Sequence, residues 1–522
     1  MFKVGQVSKM VALLGAIVLI TSGCAWMRLV TEPTTESYPS GSPSTSADGR
    51  YIAWGALNDS ADPDASSAVF LLDSLTEDRE VVSKSSTGEL ANDWSGEPSV
   101  SGDGRFVAFT SDADNLVPED TNGVSDVFLR DRVAQTTVRV SVTSNEEEVG
   151  DASYSPAISA NGQRIAFESE SDELDIIDGN GSNDIYLRDI TAGTTAIMSV
   201  GQGNFQADFG AWEPAISGDG NVVAYTSDSP ILQADANDSD DIYVRILSTS
   251  PATTQWVSKP RANAPAGSGG GMSASLSHDG NLVAFATGAL YMVPGLTDTL
   301  GQLDIFVRNR SANTTELASM NNAGMMMMGH SFNPTISSDG SEVLYTSQGN
   351  PTATDSNGVL IDVFVRNRTL ARTNVVSTGL FLGQKPNDTV NATLTPDGRY
   401  AVFMSDAAFF PSDENLRHDI YMRAVDVPVV NSISPTMVTH GQTITLTVTG
   451  NTFLPGAQLL FLDGFTMGTP VVTPTSLVVQ LTVTADAAVG NTSVIVQNPG
   501  TGPGYFTGAV GACQDCLMVH AA

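Results

Sequence analysis

The chain has 522 residues, 41% of them hydrophobic, which is enough for packed cores and excludes wholesale disorder. Acids outnumber bases 58 to 24, for a net charge of −34, so nucleic acid is excluded as a default partner: phosphate binding needs a basic patch. Three cysteines exclude a disulfide-dense scaffold and any multi-cysteine zinc module.

Residues 1–23 carry Lys3 and Lys9, an apolar run from Met10 to Ile20, and the small residues Thr21-Ser22-Gly23. The run is too short for a hydrocarbon core of ~30 Å and has the proportions of a signal-peptide core. Cys24 directly after Ser-Gly resembles a bacterial lipobox. That resemblance implies lipidation of Cys24, with residues 24–42 as anchor and tether. Ala25 in the next position points, in Gram-negative lipoproteins, to the outer membrane. The alternative is an ordinary secretory signal cleaved nearby. No later stretch reaches 18 apolar residues, so no transmembrane helix is expected.

Residues 43–427 hold one motif written seven times, beginning at Pro43, Pro98, Pro156, Pro214, Ala274, Pro334 and Ala392. The second copy is PSVSGDGRFVAFTSD and the fourth PAISGDGNVVAYTSD. Each copy has a second half, such as SDVFLRDR at 125–132 and NDIYLRDI at 183–190; the first is degenerate, SAVFLLDS at 67–74. The Asp-Gly or Asn-Gly step predicts a hairpin turn with positive φ. In the second copy it joins strand A (Ser99–Ser101) to strand B (Arg105–Ser111). Strand C follows at Val127–Arg130 and strand D at Thr136–Val142. The β-branched and aromatic content supports strands, and no segment sustains helical periodicity. Four-stranded units repeated seven times fit the blades of a β-propeller. The last copy supplies only strands A to C. Arg28-Leu29-Val30-Thr31 resembles Val138-Arg139-Val140-Ser141, so residues 27–31 are expected to complete the final blade.

These repeat halves look like the TolB-type β-propeller repeats of bacterial envelope proteins, over roughly residues 28–427. The resemblance implies a propeller with an extracytoplasmic binding or scaffolding role. Residues 428–505 alternate apolar and polar residues between turn clusters, as a β-sandwich does. Ser-Ile-Ser-Pro-Thr at 432–436, the stretch TVTGNTFLPGA and the closing VIVQNPG look like an IPT/TIG domain, which implies an immunoglobulin-like spacer or protein-contact module. Residues 506–522 are left as a tail with a CxxC. The fold class expected is therefore all-β: a seven-bladed β-propeller followed by an immunoglobulin-like β-sandwich.

The A–B turns are tight, whereas the B–C and D–A loops are long, so the face carrying those loops is the expected working face. The B–C loops repeat Asp-x-Asn-x-x-x-Asp: Asp120/Asn122/Asp126, Asp178/Asn180/Asp184, Asp235/Asn237/Asp241 and Asp413/Asn415/Asp419. Oxygen ligands on alternate residues suit Ca²⁺. The bland alternative is that Asp and Asn stabilise turns and strand entries through nearby amides. Strand-C arginines recur in register, for example Arg130, Arg188 and Arg245; a cation ring and a structural role are both readings of them. Met325–Met328 is a soft-ligand run or an apolar plug. Cys513 and Cys516 suggest a local disulfide in an oxidising envelope. No G-x-S-x-G, H-E-x-x-H or Walker motif is present. The function expected is non-enzymatic binding or scaffolding in the cell envelope, by a monomeric outer-membrane lipoprotein whose partner is an envelope protein or polysaccharide. No cofactor is expected beyond that calcium. Alternatives are a polysaccharide-acting propeller lyase or hydrolase, and a calcium-dependent adhesion protein.

Overall fold

Each repeat takes shape at its Ser-x-Asp-Gly turn. In the second copy Ser101 Oγ donates to Asp103 Oδ1 (2.8 Å) and accepts from Phe106 N (2.9 Å), while Arg105 N donates to the same Asp103 oxygen (3.0 Å). Gly104 sits at φ 70°, and a Cβ there would meet the Tyr51 ring of the preceding sheet at 1.9 Å. Both the turn and the neighbour therefore demand glycine. The same hydroxyl cap recurs from Ser46–Asp48 to Thr395–Asp397, with the Asn161 amide oxygen in place of the carboxylate in the third copy.

The computed structural model describes residues 27–31, 39–57, 67–203, 210–228, 239–262, 269–295, 301–349, 360–377, 389–406, 418–425, 428–454, 456–460, 464–498 and 510–521, together with Gln206, 230–232, Ala234, Asp235, Asn237, Ala264 and Phe409. Among them are two compact units, Arg28–Gly379 with Gly383–Val425, and Asp426–Ala522.

The larger unit is a β-propeller made of four-stranded antiparallel sheets in the order A-B-C-D. Sheets 1 to 6 begin at Pro39, Ser95, Ser153, Ala211, Met272 and Ser331 and end at Val81, Arg139, Ile197, Trp256, Leu317 and Val375. Sheet 7 is Thr389–Leu394, Tyr400–Ser405 and Asp419–Ala424, with Met27–Leu29 hydrogen-bonded on its outer side. Strand A is longer than the sequence suggests, running Ser95–Val100 in sheet 2, because a bulge carries it past its proline. Strands B and C bury cross-strand aromatic pairs between sheets, with Phe109–Phe128 and Phe167–Tyr186 each at 5.9 Å between centroids.

One main-chain hydrogen bond joins each A–B turn to the next. They run from Ala47 N to Gly102 O, Gly102 N to Ala160 O, Ala160 N to Gly218 O, Asp219 N to His278 O, His278 N to Ser338 O, Ser338 N to Pro396 O, and Asp397 N back to Ala47 O, all 2.7–3.0 Å. The last bond returns to the first turn, so the sheets close into a ring in which only the short inner and outer strands of each sheet remain as edges.

The smaller unit has two sheets. One orders Val429–Ser434, Thr443–Asn451, Ser476–Val483 and Phe465–Met467; the other orders Met437–Thr439, Val510–His520, Gly490–Gln497 and Gln458–Leu460. Leu446, Val448, Leu477, Leu481, Val494 and Leu517 are among the residues of its core. The expected tail at 506–522 holds a strand instead: Val510–His520 is an inner strand of the second sheet, and Leu517 and Val519 are buried in the core. The alternation is masked in the sequence because a bulge opposite Thr492–Val494 interrupts the pairing at Cys513-Gln-Asp-Cys516.

Candidate functional site

The inner strands surround a cavity of about 450 Å³ beside the A–B turns. Its walls are hydroxyls and apolar atoms, such as Ser44, Ser99, Ala157, Ser275 and Thr335, and His278 is the one titratable residue among the described residues lining it. The hydroxyls are engaged in holding the fold. Ser44 Oγ accepts from Val100 N (3.0 Å), Ser99 Oγ from Ile158 N (3.1 Å) and Thr335 Oγ1 from Leu394 N (3.0 Å), each across a sheet junction.

At the other end of the inner strands lies a feature that the repeat motif does not announce. Glu97, Ser155, Glu213, Ser273, Asn333 and Asn391 all hold left-handed φ between 49° and 56° at the strand-A bulge. Such residues are costly without compensation. At three of the six a carboxylate from the preceding sheet caps the amide: Glu97 accepts from Ser155 N (2.9 Å), Glu168 from Glu213 N (2.6 Å) and Glu213 from Ser273 N (2.8 Å). Glu168 is pushed up to about 7 by burial, with the charges of Glu97 and Glu213 adding to it. The position just before the repeat's Pro or Ala is held by Glu, Ser or Asn, so no recurring residue type marks it in the sequence.

The loop carboxylates are treated differently in each sheet. In sheet 2 Asp120, Asp126 and Glu148 converge closely enough to share an ion, but the Arg139 guanidinium lies among them, 3.2, 3.5 and 2.5 Å away respectively. Asn122 Nδ2 donates to Asp126 (3.1 Å). In sheet 3 the Gln206 amide donates to both Asp178 and Asp184, and Asn180 caps Ser182 N (2.9 Å). Burial pushes Asp184 up to about 7 and Asp120 to about 6. In sheet 4 Asp235 accepts from the Tyr243 hydroxyl, Asp241 from Ser258, Trp256 Nε1 (2.6 Å) and Gly270 N (3.0 Å), and Asn237 caps Ser239 N (3.0 Å). In sheet 7 Asp419 accepts from Thr31; Asp413 and Asn415 lie outside the described residues, as does Cys24. The final Asp of the motif accepts from a side-chain hydroxyl in all four copies. Ser141, Ser199, Ser258 and Thr31, each two residues past the end of its outer strand, donate to Asp126, Asp184, Asp241 and Asp419. That is the strand-entry role.

The recurrent arginines are structural clamps. Arg130 Nη1 donates to Ser85 O (3.1 Å) on the loop leaving sheet 1 and to Thr137 Oγ1 (3.1 Å), and Arg245 Nη1 repeats this with Gly201 O (3.2 Å) and Thr254 Oγ1 (3.0 Å). Met327 is buried and accepts from the Tyr345 hydroxyl (3.2 Å), while Met325 and Met328 are exposed. Cys513 and Cys516 carry free thiols, with Cys516 Sγ donating to Cys513 O (3.2 Å).

No family model matches the chain, and no curated protein matches it in sequence. Solved structures similar to it include an oligogalacturonate lyase in complex with manganese, at 13% identity and TM-score 0.48, covering 78% of this chain and 94% of that one. A putative TolB from Agrobacterium tumefaciens is 15% identical with TM-score 0.36, covering 67% and 94% respectively. The Dos1 propeller is 10% identical with TM-score 0.40, covering 77% and 96%. TolB and other β-propeller proteins are thus what the chain is similar to, in fold alone.

Proposed function

We propose that the chain is a non-enzymatic binding or scaffold protein of the bacterial cell envelope. It presents the long-loop face of a seven-bladed propeller, and its C-terminal unit is an immunoglobulin-like contact or spacer module of IPT/TIG type. One observation carries the reading. Of nine exposed large apolar side chains in the described propeller, six sit on B–C or D–A loops: Leu90, Ile176, Ile177, Leu290, Met325 and Met328. Exposed apolar groups gathered on one face favour contact with a macromolecule. The recurrent charged residues, by contrast, are consumed in clamps and caps. The cavity on the opposite face has His278 and no carboxylate among its described lining residues, which disfavours a lyase or hydrolase acting there.

The test is co-sedimentation of the purified protein with washed bacterial envelopes. Wild type and Val133→Asp, altered on the opposite face, are expected to sediment equally. The double variant Ile176→Asp/Ile177→Asp is expected to lose most of the bound fraction. Equal retention of all three, or release of shortened polysaccharide chains from the envelopes, would overturn the reading.

A further inference from the structure

Three copies of one loop motif pair their two carboxylates with three different partners. The residue in register with the strand-C aromatic decides which. Opposite Phe128 in sheet 2 stands Arg139, whose guanidinium lies against Asp120 and Asp126. Opposite Tyr186 in sheet 3 stands Ile197, and the Gln206 amide bonds both acids instead. Opposite Tyr243 in sheet 4 stands Trp256, which offers one N–H and no charge.

That N–H goes to Asp241 Oδ1, which already accepts from Ser258 and Gly270 N. Asp241 Oδ2 and Asp235 Oδ1 are buried with no hydrogen-bond partner, in residues 0% and 6% exposed. Asp241 Oδ2 is the counterpart of the Asp126 oxygen that faces Arg139 in sheet 2. A buried carboxylate oxygen without a donor is costly, and two in one motif call for an ion. The chemistry is all oxygen on an Asp-x-Asn loop, which suits a hard divalent cation and not a soft one.

We propose that Asp235 and Asp241 hold one Ca²⁺ in sheet 4, and that Arg139 is the built-in substitute for such an ion in sheet 2. With two protein carboxylates and water completing the shell, the affinity belongs to the weak class, roughly 10⁻⁴–10⁻³ M. The proposal is independent of which macromolecule the long-loop face takes, and its assay needs none.

The experiment is calorimetric titration of the full chain with CaCl₂ at pH 7.5 after chelator dialysis, alongside thermal melting. Wild type is expected to bind one ion per chain and to melt higher with calcium. Asp235→Asn is expected to abolish the heat. Trp256→Arg, which supplies the guanidinium of sheet 2, is expected to abolish it too while melting no lower than calcium-free wild type. Should Trp256→Arg fail to fold, Asp235→Asn decides alone. No heat and no melting shift up to about ten times the weakest affinity of that class overturns the proposal in favour of a proton shared by the pair. Binding that survives in Asp235→Asn overturns it as well.

Discussion

Thr31 and Asp419, 388 residues apart, are hydrogen-bonded inside sheet 7: the Thr31 hydroxyl donates to the Asp419 carboxylate and accepts from Ile420 N at 3.2 Å. Ser141 and Asp126 make the same pair within sheet 2, with Val127 N on the serine hydroxyl at 3.1 Å. The first described segment of the chain thus does for the last sheet what a sheet's own outer strand does elsewhere. Val30 N donates to Ile420 O (2.7 Å), and the strand is tied onward to sheet 1 by Arg28 to Ser74 O (2.6 Å) and by Arg79 to Val30 O (2.7 Å).

Thr31→Ala removes a buried hydroxyl that both donates and accepts. Its loss removes one hydrogen bond to Asp419 and the side-chain acceptor of Ile420 N, at a cost of about 1–3 kcal/mol. Thr31→Ser keeps the oxygen and is expected to stay within about 0.5 kcal/mol of wild type. Urea unfolding of the two variants checks this. Equal stability of Thr31→Ala and Thr31→Ser would show that the hydroxyl contributes nothing to closure.

The Arg139 side chain is only 6% exposed, and three carboxylates face it. Arg139→Gln keeps much of the volume and removes the charge. Breaking a buried charge cluster in this way costs about 3–5 kcal/mol. The freed acids then resemble the sheet 4 pair, so millimolar Ca²⁺ is expected to return part of the lost melting temperature to Arg139→Gln. Wild-type sheet 2, plugged by its arginine, gains nothing there. Melting curves with and without calcium on an Arg139→Gln/Asp235→Asn double variant isolate this effect from sheet 4.

The turn and clamp chemistry is legible in the sequence because it is local or periodic. Ser101, Asp103 and Gly104 lie within four residues, and Asp126 recurs at strand entry in copy after copy. The metal question is not legible there, because Asp120 meets its counter-ion 19 positions away in a strand whose register no motif spells out. Arg139, Ile197 and Trp256 look interchangeable in the sequence, yet they decide whether two acids are neutralised. Glu97 is hidden for a similar reason: its partner, Ser155 N, belongs to the next sheet. Val510–His520 reads as a tail because its bulge breaks the period-2 pattern.

Acidification is expected to stabilise the protein before it harms it. Burial pushes Asp120 to about 6 and Glu168, Asp184 and Asp241 to about 7. Between the ordinary carboxylate range and those values the folded state binds more protons than the unfolded one, so stability falls as pH rises through that window. The melting temperature of calcium-free protein is therefore expected to climb from pH 8 to about pH 5. Below that it should drop. Although burial opposes it, Glu148 is held at about 2 by Thr121 and Arg139, and Asp131 is lowered by Arg105. Their contribution disappears as they take up protons. A melting temperature that is flat or rising between pH 5 and pH 8 would contradict this.

Two glycines separate the backbone cost of a turn from its packing cost. Gly104 and Gly123 hold nearly the same left-handed angle, φ 70° and 68°. Nothing lies within 4 Å of a Cβ built on Gly123, whereas one on Gly104 would sit 1.9 Å from the Tyr51 ring. Gly123→Ala is expected to cost about 1 kcal/mol, from left-handed φ alone. Gly104→Ala adds the displacement of Tyr51, which stacks under both Arg50 and Arg132 at 4.8 and 4.4 Å, so a loss of about 2–4 kcal/mol is expected. The double variant Gly104→Ala/Tyr51→Ala removes the clash and should cost less than the sum of the two single changes. Additive losses in a urea double-mutant cycle would mean that the neighbouring ring does not press on this turn.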